Sequence, residues 1–242
     1  MLKIEKHAAE RVAVLTMDHE RENRFHPDLV QGLLDALDAL EADPEVRAVV
    51  FTGADPKFFS NGLDLGWMMG HIRDLPVLTG YLRSVNALFR RVTLFPKPTV
   101  GALNGHTFAA GLFLAAHMDF RLMREDRGWI CAPEVDINIP LLPGMIAICQ
   151  ATMSPAGFRK VYYTGARLTA PEAVEIGFVD RAVADEALLP EAIALAAELG
   201  KKRTATYAEM KRRVRQDVVR ILDEEDPALF LQTLSYSAPP SR

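Results

Sequence analysis

The run Arg11-Val12-Ala13-Val14-Leu15-Thr16-Met17-Asp18 is apolar and rich in β-branched residues, which predicts a strand followed by a polar loop over 18–23. His26-Pro27-Asp28 then opens a helix with proline in its first turn. Leu29, Leu33, Leu34, Leu37 and Leu40 recur on one face of that helix, which therefore packs on a sheet. Asp43-Pro44 ends it, and residues 46–53 form a near-continuous apolar strand of the kind buried on both faces. A long amphipathic helix is predicted over 76–94 and closed by Phe95-Pro96-Lys97-Pro98. Strands follow over 99–103 and 117–123, with a helix over 111–117 between them and a short extended piece over 129–134. Helical patterns dominate 144–168, Thr169-Ala170-Pro171-Glu172 has the form of a helix N-cap, and 178–183 is a last short strand. Beyond Asp185 only helices are predicted, over 188–199, 204–222 and 227–234. Alternating strands and helices with a helical tail define an α/β core over 1–185 and a C-terminal helical extension over 186–242. No repeat or low-complexity segment interrupts this order.

Composition narrows the function classes. At 49% hydrophobic and 25% charged the chain is too apolar for disorder, and its net charge of −4 offers no basic footprint for nucleic acid or an anionic membrane. The basic clusters Lys201-Lys202-Arg203 and Lys211-Arg212-Arg213 read as solvated helix faces. Cys131 and Cys149 lie in apolar runs without metal-ligand spacing and read as reduced core residues, as expected of a cytoplasmic protein. The charged start Leu2-Lys3-Ile4-Glu5-Lys6 lacks the apolar core of a secretory signal, and no uncharged apolar run reaches the ~18 residues of a membrane span. The end, Ala238-Pro239-Pro240-Ser241-Arg242, is not a peroxisomal Ser-Lys-Leu address.

Two small-residue loops carry the candidate chemistry. Lys57-Phe58-Phe59-Ser60-Asn61-Gly62-Leu63-Asp64-Leu65 and Asn104-Gly105-His106-Thr107-Phe108-Ala109-Ala110-Gly111 each stand where a strand ends and a helix begins. Such junctions leave backbone N–H groups unpaired at a helix N-terminus. Glycines at 62, 105 and 111 permit a left-handed backbone or a close approach, and Ala109-Ala110 keeps side chains short. Either loop alone is readable as an ordinary connection, whereas two such loops meeting would make an oxyanion hole.

With these loops stand the strand ending Phe51-Thr52-Gly53, Lys97-Pro98, His117-Met118-Asp119, Ala132-Pro133-Glu134, Thr164-Gly165 and Gly177-Phe178-Val179-Asp180. In this order and spacing the chain resembles the crotonase, or enoyl-CoA hydratase/isomerase, superfamily from about residue 11 to 183. The resemblance implies a core spiral of ββα repeats with a helical tail that packs on neighbouring subunits, as a homotrimer or hexamer. It implies an acyl-CoA thioester substrate, with coenzyme A as part of the substrate and no further cofactor or metal. It places the N–H groups of Leu63 and Ala110 on the enolate oxygen, and substrate or CoA contacts at Arg24, Asn61, Gly62, Asp64, Gly111 and Phe113.

Hydratases of this superfamily use two glutamates, which fall here on Phe113 and Glu134. A single carboxylate, together with Ser60-Asn61-Gly62-Leu63-Asp64-Leu65, is similar to the Δ3,Δ2-enoyl-CoA isomerase branch. The chain departs from the superfamily's Pro-Gly-x-Gly-Gly-Thr turn in reading Ile139-Pro140-Leu141-Leu142-Pro143-Gly144-Met145, which leaves the acyl length open. Other crotonase chemistries, namely hydration and thioester or C–C hydrolysis, and a non-catalytic acyl-CoA binding role are the alternatives. Phe113 speaks against hydration.

Moving a double bond from 3,4 to 2,3 needs one base that reaches both carbons. Glu134, set among Trp129, Ile130, Ile137 and Ile139, is that base, with its proton affinity raised by burial. Asp64 is expected to cap the following helix, Asp136 to make a structural hydrogen bond, and His106 to act in positioning. Ser60 lacks the setting of a nucleophile elbow. Trp67, Met68 and Met69 are candidates for an acyl tunnel or an apolar helix face.

Overall fold

The leucine face read from the sequence is the face on which α1 (Pro27–Ala42) enters the core: Leu29, Leu33, Leu37 and Leu40 are buried. The helix starts at His26, whose side chain accepts from the Asp28 N–H. Its C-terminal carbonyls are held by the buried Lys97, whose Nζ donates to Leu40 O at 2.6 Å and Asp43 O at 2.7 Å. The Lys97-Pro98 pair thus anchors a helix end, where a cation complements the carbonyl dipoles. The computed structural model describes residues 2–235, so the reading of Ala238–Arg242 lies outside the described residues.

Strands β1 (Leu2–His7) and β2 (Val12–Met17) pair antiparallel. Parallel to β2 run β3 (Ala48–Gly53), then, beyond the short β4 (Phe58–Ser60), β5 (Thr99–Leu103). Next in the chain come β6 (His106–Phe108), β7 (Phe120–Arg124), β8 (Ile130–Cys131) and β9 (Arg181–Val183). The large sheet has the order β1-β2-β3-β5-β7-β9, and β4, β6 and β8 form a second, parallel sheet. Each of β3, β5 and β7 is therefore followed by a short strand that leaves for the other sheet, which is the repeat expected of a spiral core. Strands of two or three residues show no periodicity, so of this second sheet only β8, inside the extended piece read over 129–134, is visible to pattern reading. β1 is likewise unexpected: an exposed edge strand tolerates the charges of Lys3, Glu5 and Lys6.

The remaining helices are α2 (Leu65–Gly70), α3 (Leu75–Thr93), α4 (Ala110–His117), α5 (Pro143–Gln150), α6 (Pro155–Thr164) and α7 (Ala170–Glu175). The helical stretch 144–168 is thus two helices, and Gly165, at φ 62°, ends the second. In the tail, α8 (Asp185–Gly200) is followed by α9 (Thr204–Val214), α10 (Gln216–Glu224) and α11 (Asp226–Ser235). The single helix predicted over 204–222 breaks at Arg215.

Within the chain, α8, α10 and α11 each bury apolar residues against the core. Leu188, Ala192 and Ala196 of α8 pack on Val14, Val50 and Val100 of the large sheet. α9 is pinned by Lys211, whose ammonium lies 3.0 Å from the Asp119 carboxylate, both well buried. That carboxylate also accepts from the Thr99 N–H, so the aspartate of His117-Met118-Asp119 joins two strands to the tail. Asp226 reaches the N-terminus of α5, accepting from Gly144 N–H at 2.8 Å, and Phe230 of α11 is buried in the main core.

Candidate active site

β4 delivers Asn61-Gly62-Leu63 into a loop that is tied down on every side except one. Ser60 Oγ donates to Asn23 O at 2.8 Å and accepts from Gly62 N–H, while Asn23, buried at φ 46°, donates from Nδ2 to Phe59 O. Ser60 is therefore a loop staple. The Asn61 N–H donates to Glu22 O, Gly62 O accepts from Phe25 N–H at 2.7 Å, and Leu63 O accepts from Leu65 N–H. Among the described residues none of these loop hydrogen bonds uses the N–H of Leu63.

The second loop meets the first. A side chain at Gly105 would collide with the Lys57 backbone, and the His106 N–H donates to Lys57 O at 2.8 Å. After β6 the chain turns through Ala109 at φ 50° and ψ −125° so that Ala110 opens α4. As the first residue of a helix, Ala110 has no partner for its N–H within that helix. A Cβ on Gly62, itself at φ 85°, would lie 3.0 Å from Ala110 N and 2.7 Å from Ala109 Cβ, so only glycine lets the loops approach this closely. Gly111 serves the same packing: a Cβ there would lie 2.6 Å from Ser60 O.

Ala109 occupies backbone space that costs a non-glycine residue about 1–3 kcal/mol. Ala109→Gly should stabilise the chain by about 1 kcal/mol after the entropic cost of a more flexible unfolded state. A thermal midpoint raised by roughly 2–4 °C is the expected result. A lowered midpoint would show that the turn is held without strain.

Beside the junction lies a cavity of about 270 Å³ lined almost entirely by apolar groups. Leu63, Ala110, Asn61, Phe113 and Glu134 all border it. Among the described residues Glu134 is the sole titratable side chain in that lining. It sits in the short 3-10 turn Pro133–Val135 just after β8 and is 7% exposed, and its Oε2 has no hydrogen-bond partner. Burial pushes its pKa up to about 7, opposed weakly by a backbone hydrogen bond. Phe113, on α4, is fully buried and stacks on Tyr162 at a centroid distance of 6.3 Å.

Other sequence candidates fall elsewhere. Arg24 is half-exposed and bound to Glu22 at 2.6 Å, and the same carboxylate accepts from Asn61 Nδ2 at 2.9 Å. Asp64 accepts from the Trp67 N–H as the N-cap of α2. Neither Arg24 nor Asp64 borders the cavity, and Gly62 and Gly111 stand behind its wall. His106 stacks on Trp129 at 4.8 Å, away from Glu134, and burial holds it below its usual pKa. Asp136 is exposed, with its carboxylate against Gly165. Of Trp67, Met68 and Met69 only Met68 lines the cavity; Trp67 stacks on His71 and Met69 is exposed. Cys131 and Cys149 are free and buried, with both thiol pKa values raised by burial.

Leu82, Leu142, Met145, Phe230 and Thr233 also line the cavity. They come from three separate helices, α3, α5 and α11, or their approaches, and no local motif marks them.

Two loops meeting over a spiral of paired strands, with one glutamate after the third pair, define a crotonase-type chain. The enoyl-CoA hydratase/isomerase family model matches residues 7–229, and the chain belongs to that family. It is 32% identical over 217 residues to enoyl-CoA delta isomerase 3 of Arabidopsis thaliana, covering 87% of this chain and 91% of the relative. It is 30% identical over 198 residues to a carnitinyl-CoA dehydratase of Salmonella arizonae, covering 81% of this chain and 74% of the relative. In fold it is similar to human mitochondrial delta3-delta2-enoyl-CoA isomerase, with a TM-score of 0.92 at 24% identity over 98% of this chain and 92% of that one. No described helix is long and apolar enough to cross a membrane.

Proposed function

We propose that this protein is an enoyl-CoA isomerase that moves a double bond from the 3,4 to the 2,3 position of an acyl-CoA thioester. The observation that carries the reading is the solitary buried Glu134 in an apolar cavity. With a pKa near 7 it is partly ionised at neutral pH and able to take a proton from C2, then to return it to C4. Between those steps the negative charge rests on the thioester oxygen, for which the N–H groups of Leu63 and Ala110 are the donors. Preset donors in a water-poor site act on that charge far more strongly than water does. The relatives named as enoyl-CoA delta isomerases support the same reading.

Hydration fits less well, because Phe113 borders the cavity where a second carboxylate would be needed to direct water. A non-catalytic binding role leaves unexplained a carboxylate kept in apolar surroundings with one oxygen unpartnered, a costly arrangement. The reaction asks for no cofactor beyond the coenzyme A of the substrate. Cytoplasmic residence and a trimer or hexamer belong to the same proposal. Met210 and Val214, exposed four residues apart on α9, support further assembly, and sedimentation of the intact chain checks it.

Incubation with a 3-enoyl-CoA should develop the absorbance of a conjugated thioester. Absence of that signal at high enzyme concentration would contradict the proposal.

A further inference from the structure

Glu134 also borders a second cavity, of about 420 Å³, on the far side of the strap Ile139-Pro140-Leu141. Those three residues and Glu134 line both cavities, so the two adjoin at Glu134 and along the strap. It belongs to no helix or strand, the Ile139 N–H is used on Glu134 O, and Pro140 has none to offer. Val135, Ile146, Phe158 and Tyr162 give the outer cavity an apolar lining, and the exposed Gln150 and Tyr163 stand at its edge.

We propose that this outer cavity receives the distal hydrocarbon of the acyl chain and makes the protein selective for long-chain 3-enoyl thioesters. The inference rests on the isomerase reading above. The inner cavity, at about 270 Å³, is smaller than the ~300–1,000 Å³ usual for ligand sites, and it must already hold the thioester carbonyl and the reacting carbons. Its side toward α11 is lined by the buried Phe230 and by Thr233. Hydrocarbon beyond the reacting carbons finds apolar lining across the strap. The departure from the family's glycine-rich turn begins on these same residues, so the sequence feature that left acyl length open is the strap along which the two compartments adjoin. Filling both sides of that strap with hydrocarbon also keeps water from Glu134.

Burial is worth roughly a fourfold gain per methylene. The test compares kcat/KM of the full chain for 3-hexenoyl-CoA and 3-dodecenoyl-CoA. The parent should prefer the twelve-carbon substrate at least tenfold. Gln150→Trp, which places an indole at the outer cavity alone, should lower that preference at least tenfold, whereas Gln150→Leu, lacking the bulk, should retain it. A parent that prefers 3-hexenoyl-CoA, or a tryptophan variant with the parent's preference, overturns the inference and leaves the isomerase reading standing. Failure to isomerise either substrate overturns both.

Discussion

Glu134→Gln should lower isomerisation of 3-enoyl-CoA by roughly 10²–10⁴-fold, the usual cost of losing a positioned general base. The amide keeps the shape of the side chain and replaces the basic carboxylate oxygen that takes the C2 proton with one too weakly basic to do so. Binding of a saturated acyl-CoA should persist, because the loop amides and cavity wall are untouched. Folding should persist as well. A carboxyl whose pKa is raised on folding contributes stability below its unfolded pKa, near 4.5, and loses it as pH rises through about 7. The glutamine variant escapes that loss, so above pH 7 its thermal midpoint should equal or exceed the parent's. The same pKa sets the parent's pH profile. The base must start ionised, so kcat/KM should be half-maximal near pH 7 and fall about tenfold per pH unit below it. A variant with parental turnover, or a flat profile between pH 5 and 8, would remove Glu134 from the chemistry.

Ala110→Pro is the second large effect. Proline at the first position of a helix is sterically tolerated and has no N–H, so it deletes one donor at the start of α4. Loss of one oxyanion donor costs roughly 10²–10³ in turnover. Ala110→Gly, which retains the donor, should remain within a few-fold of the parent. The comparison is made on variants whose circular dichroism matches the parent's. Near-parental turnover of a folded proline variant would mean that the Ala110 amide does not face the developing charge.

How far the sequence announces this site depends on distance along the chain. Glu134 and Phe113 are legible because each sits at a fixed step from a local motif, and the two loops because glycine and alanine are the residues a close approach requires. The conformation of Ala109 is not legible, since alanine at φ 50° runs against its own preference and is imposed by the junction of the two loops. Nor are Met145 and Phe230, which reach the cavity only after α5 and α11 fold back. The tail shows the limit from the other direction. Its amphipathic helices are plain in the sequence, but where they dock on the core depends on contacts such as Lys211–Asp119 and Asp226–Gly144, each joining residues more than eighty positions apart. Arg24 and Asp64 differ from each other: the cap that Asp64 gives α2 is legible from the sequence, whereas the pairing of Arg24 with Glu22 is not.

The central claim is that one buried carboxylate, faced by Phe113 and not by a second acid, moves a proton along the acyl chain without directing water. The most direct measurement is the partition of the parent protein between two reactions, with 3-enoyl-CoA and 2-enoyl-CoA of equal chain length assayed side by side. The account predicts rapid appearance of the conjugated thioester from the first and hydration of the second that is slower by orders of magnitude. Hydration of 2-enoyl-CoA faster than isomerisation of 3-enoyl-CoA would contradict it.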